Sequence, residues 1–566
     1  SPSRLTRPGA ETSTVGRLPN RSRKSDVACR TGGAIVTRGS LSGGCLSRVL
    51  VPLAWLVLLG YPLAGQLAPV GTPKGSLRFE IQGAFQSADR RLLDGHREDY
   101  LADFGSPALG SDRVPLLVHA DTLIGQILDQ PGYRLNLGRQ RARGQLTIGT
   151  GIVGISLGVT RQLTLFSHIP FVNTRVQTNL RLDSTSADAG FNPAHPVYGN
   201  QAEQNRANQF FSAFDAALQT LDANITAGFY TDNATLALAQ NTKAQGDSLR
   251  DELYSVTLGS PSPFLPTGAS PTGQQIIAVI RNLQSTLETS LSVTGFSLDP
   301  VLASNRLTDQ DFTDFLSNPL GPIAAFAPGE AKISRMGDMD VGTVLTLVDR
   351  FDRPEHNGGF RLALSGLLRL PTGTRDNPNN LVDVGTGNGR YEVGVSATAD
   401  LGRGRIGLRA SGGFLARLAS LRVRRVAPPS APYAEAALLK NVQLDAGDIV
   451  SLGIRPYLRL ARNLALHGQV DYSHTAADQV QYDAAGDAIP GVPASVMAEA
   501  SRKALALGGG LSYVGRTAHE CERGQRCGWP IEAGWSYTVV SSGSGGRTSQ
   551  FRSTSFEIRW YQRLWR

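Results

Sequence analysis

VGVSATADLGRGRIGLRASGGF, residues 393 to 414, alternates apolar and polar side chains on both sides of a short turn. Successive side chains of a strand point to opposite sides. Val393, Val395, Ala397 and Ala399 therefore share one face, while Glu392, Gly394, Ser396, Thr398 and Asp400 share the other. Beyond the DLGRGR turn, Ile406, Leu408, Ala410, Gly412 and Phe414 line up against Arg405, Gly407, Arg409, Ser411, Gly413, Leu415 and Arg417. This is an antiparallel hairpin with one oily and one charged face. Two settings suit it: a soluble sheet lying on a core, or a membrane barrel with the oily face in lipid and the arginines in its lumen.

The rest of the chain chooses between them. Its 566 residues are 41% hydrophobic and 18% charged, which fits neither a disordered chain nor a bundle of membrane helices. The long uncharged apolar run is Val49 to Gly65, VLVPLAWLVLLGYPLAG. It follows a basic region and ends in small residues, the layout of a secretory signal peptide, with cleavage expected between Ala64 and Ala68. Residues 1 to 48 hold nine Lys/Arg against two acidic residues, about +7 of the formal +9. Without that leader the chain is near neutral, and no nucleic-acid partner is expected. Cys29 and Cys45 belong to the leader. Cys521 and Cys527, in ECERGQRCGWP, could form a small-loop disulfide in an oxidising compartment; two thiols without nearby His make only half a zinc site.

About twelve segments show period 2, each close to the ~9 to 11 residues that a tilted strand needs to cross a bilayer. They fall near 75–86, 144–158, 162–174, 340–351, 359–371, 390–401, 404–417, 447–460, 463–475, 502–514, 532–542 and 554–564. Short connections (VTRQ, FDRPEHN, the GRGR turn, ARN) alternate with stretches of about 15 to 165 residues, with two exceptions: the connection holding Cys521 and Cys527 is long for a periplasmic turn, and SGSGGRTSQF is a short outside loop. Short periplasmic turns and long outside loops are the asymmetry of a bacterial outer-membrane barrel. Glycines interrupt strands 1, 2 and 11, where a bulge or shifted register is expected, and strand 1 could instead belong to a plug.

An Arg facing lipid at the midplane costs roughly 2 to 4 kcal/mol, so Arg405 and Arg409 are expected in the lumen. The same alternation places Arg455, Tyr457 and Arg459 inward against Leu452, Ile454, Leu458 and Leu460. His467, Gln469 and Asp471 likewise oppose Leu464, Leu466, Val470 and Tyr472. The candidate lumen lining is Glu392, Arg405, Arg409, Arg455, Arg459, His467 and Asp471. These charges either fill the lumen as ion pairs, such as Glu392 with Arg405, or select an ion or ligand.

Four divisions are expected: a leader over 1–65, strands 1 to 3 with a long first loop over 66–182, a helical extracellular insert over 183–335, and strands 4 to 12 over 336–566. Within the insert, Phe210, Phe214, Leu218, Leu221 and Ile225 keep helical spacing, as do Ile276, Ile280, Leu283, Leu287 and Leu291. Such an insert could cap or plug the pore or merely decorate the surface, and residues 87 to 133 could form a second, smaller cover.

LGVTRQLTLFSHIPFV (Leu157 to Val172), through Gly158, Thr160, Leu163, Ile169 and Pro170, resembles a recurring segment of the outer-membrane transporter family associated with the meta-cleavage pathway of phenol degradation. Gly337 and Asp338 before a strand, then LRLPTGTRDNP (Leu368 to Pro378) and VGTGNG (Val384 to Gly389), look like its next landmarks. The resemblance covers about half of the chain after the leader. It implies a barrel distantly similar to outer-membrane long-chain fatty-acid transporters, passing hydrophobic or aromatic compounds inward. The final FEIRWYQRLWR resembles the C-terminal strand by which the barrel-assembly machinery recognises its clients.

No catalytic, cofactor or metal site is expected. GTGNG lacks the preceding strand and following helix of a phosphate loop. His467 is followed by Gly468 and Gln469, and His474 beside Ser473 points the other way, so the His and Ser of an outer-membrane phospholipase are not assembled. Tyr513, Trp535, Tyr537 and Trp560 read as interface-belt aromatics. The expectation is an outer-membrane β-barrel of about twelve antiparallel strands with a helical external insert, passing small hydrophobic or aromatic molecules passively. The alternative is a closed structural or adhesive barrel whose insert binds a partner.

Overall fold

The computed structural model describes residues 71–325, 329–351, 358–461, 463–515 and 531–565; the apolar run Val49–Gly65 and the four cysteines lie outside them. Twelve antiparallel strands close into a ring: β1 (Ser76–Ala88), β2 (Arg139–Gly158), β3 (Leu163–Asp183), β4 (Met339–Asp349), β5 (Gly358–Leu370), β6 (Glu392–Arg403), β7 (Ile406–Arg417), β8 (Ile449–Arg459), β9 (Leu464–Thr475), β10 (Arg502–Val514), β11 (Ile531–Gly545) and β12 (Arg552–Arg563). Strand β1 pairs with β2 on one side and β12 on the other, so it belongs to the wall and not to a plug. Closure removes the unpaired edges that lipid would not tolerate.

The outward side chains are apolar. Val393, Val395, Leu408, Phe414, Leu452, Ile454, Leu466 and Val470 are all exposed on the wall. Trp535, Tyr537, Tyr513 and Trp560 are exposed toward the short-turn end, as an interfacial girdle requires. Among the described residues no helix is long and apolar enough to cross a membrane. A closed antiparallel barrel with an oily belt, short turns at one rim and long loops at the other is the architecture of the bacterial outer membrane.

Three irregularities shape the wall, one of them an extra residue, Leu347, in β4 between the partners of Leu362 and Ala363. Strand β11 carries an extra residue, Ser541, between the partners of Leu505 and Ala506, a bulge in one of the glycine-interrupted strands. The third lies at Gly337 and Asp338. The inner half of β3 pairs with β4, from Leu163↔Leu345 to His168↔Asp340, whereas its outer half pairs with Glu330–Met336, from Phe171↔Met336 to Gln177↔Glu330.

Above the long-loop rim lies a helical cap: α1 (Val118–Ile127), α2 (Gln201–Thr226), α3 (Asn233–Tyr254), α4 (Pro271–Ser285) and α5 (Asp309–Ser317). The starts follow local chemistry. Asn200, Asp232 and Ser270 accept backbone N–H groups at the heads of α2, α3 and α4, and Thr308 with Asp311 makes a capping box on α5. The first loop and the insert share one core, which holds Leu117 just before α1 and Ile124 within it, with Phe210, Phe214 and Leu221 of α2 and Ile276 and Ile280 of α4. Tyr433, from the connection between β7 and β8, is fully buried in it, edge-on to Phe104 at 5.5 Å and to Phe312 at 5.3 Å. Three separate connections are thereby pinned into one body by apolar burial.

Candidate functional site

The lumen charges lie on rungs that run across neighbouring strands, with the sign alternating except where Arg409 faces Arg455. One rung reads Asp340, Arg369, Glu392, Arg417 across β4 to β7. Another reads Asp349, Arg361, Asp400, Arg409, Arg455 across β4 to β8. A third, at the closure, reads Glu80, Arg559, Glu532. Directly opposed residues on one face of a sheet come within reach of each other, and the rungs hold the ion pairs Asp340–Arg369–Glu392, Asp349–Arg361, Asp400–Arg409 and Glu80–Arg559–Glu532, while Arg455 turns from Arg409 to Asp471.

The distances agree. Arg369 donates to both oxygens of Asp340 at 2.7 and 3.0 Å and to Glu392 at 2.9 Å, and Asn388 adds a hydrogen bond to Glu392 at 3.1 Å. Arg361 lies 3.2 Å from Asp349 and Arg409 3.2 Å from Asp400, which also accepts from the Tyr457 hydroxyl at 3.0 Å. Arg559 reaches Glu80 at 3.1 Å, Glu557 at 2.5 Å and Glu532 at 3.6 Å. Buried charged groups need partners, and each of these has an opposite charge within 4 Å, although Arg361 Nε and Glu532 Oε2 make no hydrogen bond among the described residues.

Six of the seven lumen candidates stand in strands. Glu392, Arg455 and His467 are buried and Arg409 nearly so, while Asp471 lies 3.9 Å from Arg455. Arg459 is half-buried toward the short-turn end, its guanidinium 5.9 Å from the Phe351 ring. Arg405 requires a correction. It sits exposed in the turn between β6 and β7, where its carbonyl accepts from Arg459 N–H, because Arg403↔Ile406 is the last rung of that hairpin. Glu392 lies at the opposite end of the same hairpin and is held by Arg369, so the pair Glu392 with Arg405 does not form. Cys521 and Cys527 fall outside the described residues.

The short glycine-rich motifs, far apart in sequence, meet at one point. The Gly337 N–H donates to the Pro170 carbonyl at 2.8 Å. Asp338 then receives the backbone N–H of Gly373 at 2.9 Å and that of Asn388 at 2.5 Å. Thr386 Oγ1 accepts from Thr374 N–H and donates to the Met336 carbonyl, each at 3.0 Å. A Cβ on Gly387 would lie 2.5 Å from Asp338 Oδ1 and 2.6 Å from Gly373 Cα, so the close approach itself demands glycine. GTGNG is thus a clasp at the rim.

Sequence reasoning missed the apolar upper wall of the lumen. Leu146 and Ile148 of β2, Val176 of β3 and Ala331 form a buried inward cluster, against which Tyr100, Val382 and Phe551 pack. Tyr100 and Val382 also pack on the cap core, which joins the two apolar bodies. The signal was present as alternation in QLTIGTG, but lumen positions were expected to be polar. On the cap, Leu116, Ala120, Pro261, Pro263, Leu320 and Pro322 line an open groove of about 470 Å³.

No family model matches the chain, and no curated protein matches it in sequence. Solved structures do. An outer membrane channel from Pseudomonas putida F1 is 8% identical, with a TM-score of 0.38 over 87% of this chain and 97% of the other. The transport unit of the autotransporter AIDA-I from Escherichia coli is 7% identical, at 0.29 over 86% and 90%. The CymD monoaromatic hydrocarbon channel is 10% identical, at 0.24 over 86% and 88%. Likeness this distant carries no functional argument, which rests on the lumen itself.

Proposed function

We propose that the chain is an outer-membrane channel for passive uptake of small hydrophobic or aromatic molecules. The observation that carries this reading is the inward apolar wall of Leu146, Ile148 and Val176, continuous with the cap core through Tyr100 and Val382. Tyr100, Val382 and Phe551 cover these side chains, and a hydrophobic solute that displaced them would gain apolar contact along its path from the cap into the barrel. Below that wall the ion-paired rungs line the barrel. In this reading the long-loop end is extracellular, the cap groove is the capture surface, and β12 is the strand presented to the barrel-assembly machinery. The resemblance to transporters of phenol degradation supports the aromatic end of the substrate range.

Liposome swelling with the purified protein tests the reading, using neutral aromatic, charged and sugar solutes of similar size. The expected result is faster permeation of the neutral aromatic solute, reduced several-fold by Ile148→Asp. No swelling with any solute would reject transport and leave the partner-binding alternative.

A further inference from the structure

We propose that the mouth of the lumen holds an anion-binding site, built by Arg390, Arg417, Arg422 and Arg424, for the carboxylate or phosphate group of a bound molecule. The four come from separate places. Arg390 precedes β6, Arg417 ends β7, and Arg422 and Arg424 lie on Ser420–Arg425, a short strand outside the barrel. Arg375 and Arg502 complete the electrostatic neighbourhood.

The pairing there is lopsided. The carboxylates in range are Asp376, Asp478, Glu392 and Asp338. Asp376 is engaged by Arg424, whose Nη2 lies 3.1 Å from it, and comes no nearer than 4.0 Å to Arg422. Glu392 is engaged by Arg369 at 2.9 Å and lies 3.9 Å from Arg390. Asp338 is occupied by two backbone N–H groups. Arg417 lies 3.7 Å from Asp478 and spends its Nε on the Gly447 carbonyl. Arg375 spends its guanidinium on the carbonyls of Gly389 and Leu421.

Two guanidinium groups are left wanting. The side chains of Arg390 and Arg422 are only 9% and 5% exposed, yet Arg390 Nε and Nη1 and Arg422 Nε have no hydrogen-bond partner among the described residues. A buried charged donor left unmet is costly, and a fold keeps one where a ligand supplies the acceptor. Burial, then Arg390 and Arg424, pull Arg422 down to about 10. That strain is one an anion would relieve. Planar forks of N–H donors match the two oxygens of a carboxylate or the face of a phosphate. Arg424 is about one-third exposed, which leaves the cluster reachable from the mouth. The site goes beyond the transport reading and stands on binding alone.

Calorimetric titration of the purified protein in detergent tests it, with benzoate and inorganic phosphate as separate probes. Saturable binding of at least one is expected, falling as salt rises, and about tenfold weaker in Arg390→Gln and in Arg422→Gln through loss of charge-assisted hydrogen bonds. Benzoate alone would assign the site to a solute carboxylate, and phosphate alone to a phosphate group such as a lipid headgroup carries. Arg361→Gln, on the Asp349 rung at the short-turn end, should bind as the parent does. Absence of saturable binding of both probes to the unaltered protein would overturn the proposal. So would undiminished binding in the Arg390→Gln, Arg422→Gln double variant, or an equal loss in Arg361→Gln.

Discussion

Arg559 on the last strand reaches Glu80 on the first at 3.1 Å, across the seam where the barrel closes. Both side chains are almost wholly buried, at 4% and 2% exposure, and the same guanidinium also serves Glu557 and Glu532. Arg78 adds a second cation, 3.4 Å from Glu80. Three carboxylates in so small a volume depend on these arginines, since removing one partner of a buried ion pair leaves uncompensated charge. Arg559→Leu should therefore destabilise the barrel by about 3–5 kcal/mol. The check is the urea midpoint in detergent micelles, followed by tryptophan fluorescence. A shift no larger than that of Glu80→Gln, which removes only one of the three carboxylates, would show that the seam does not depend on Arg559.

The outward face supplies a second prediction. Val395 lies opposite Phe414, on the fourth rung of the β6–β7 hairpin from the long-loop end, and is 59% exposed on the wall. Val395→Arg should cost about 1–3 kcal/mol in lipid, somewhat less than the ~2–4 kcal/mol at the midplane because the penalty falls toward the interface. Ser396→Arg, one residue on, points into the polar lumen and should cost much less. Folding yields into lipid vesicles separate the two variants, and equal yields would place Val395 outside the bilayer.

The strands were legible because the bilayer imposes one rule along each of them: oily side chains outward, the others inward, for about ten residues. Each of the twelve barrel strands overlaps a segment of period 2 in the sequence. Which charges would meet was not legible, because partners are set by register and stagger between strands. Glu392 finds Arg369, twenty-three positions earlier, and Arg405 drops out of the lumen because a turn claims it. Helix α3 was missed for a different reason. NATLALAQNTKAQGDSLRDELY buries Ala239, Thr242 and Gly246 with only Leu249 and Leu253, too little apolar contrast for periodicity to register. The arginines of the mouth, Arg502 included, come from two connections and two strand ends, so no local window contains them.

The cap carries a pH dependence. His195 in the insert is buried, and that burial holds its imidazole down at about 4. Its Nδ1 accepts the Val197 N–H at 3.0 Å, a bond that only the unprotonated nitrogen can make. A histidine depressed in the folded state contributes stability that is complete above its ordinary value near 6.5 and is lost as the pH falls toward 4. Limited proteolysis of the cap should therefore accelerate between pH 6.5 and 4, while the barrel core stays protected. His195→Asn, which keeps an acceptor and does not titrate in this range, should flatten the profile. An unchanged profile in that variant would assign the effect to another group.

The clasp at Asp338 gives the last prediction. One carboxylate holds the Gly373 and Asn388 backbone N–H groups and so ties both ends of the 371–391 connection to the junction between Glu330–Met336 and β4. Asp338→Ala leaves two partly buried donors unmet, at about 1–3 kcal/mol each. Asp338→Asn keeps one acceptor oxygen and should lose about half as much. The cost should fall on the connection, because the flanking strands β5 and β6 keep their own ladder from Gly358↔Arg403 to Arg369↔Glu392. Hydrogen exchange should show faster labelling of residues 371–391 in Asp338→Ala, intermediate labelling in Asp338→Asn and unchanged protection in β5 and β6. Because Asn388 also orients Glu392, loosening the clasp should weaken the Arg369 rung as well. Exchange confined to Gly373 and Asn388 alone would show that the clasp holds two amides and not the connection between them.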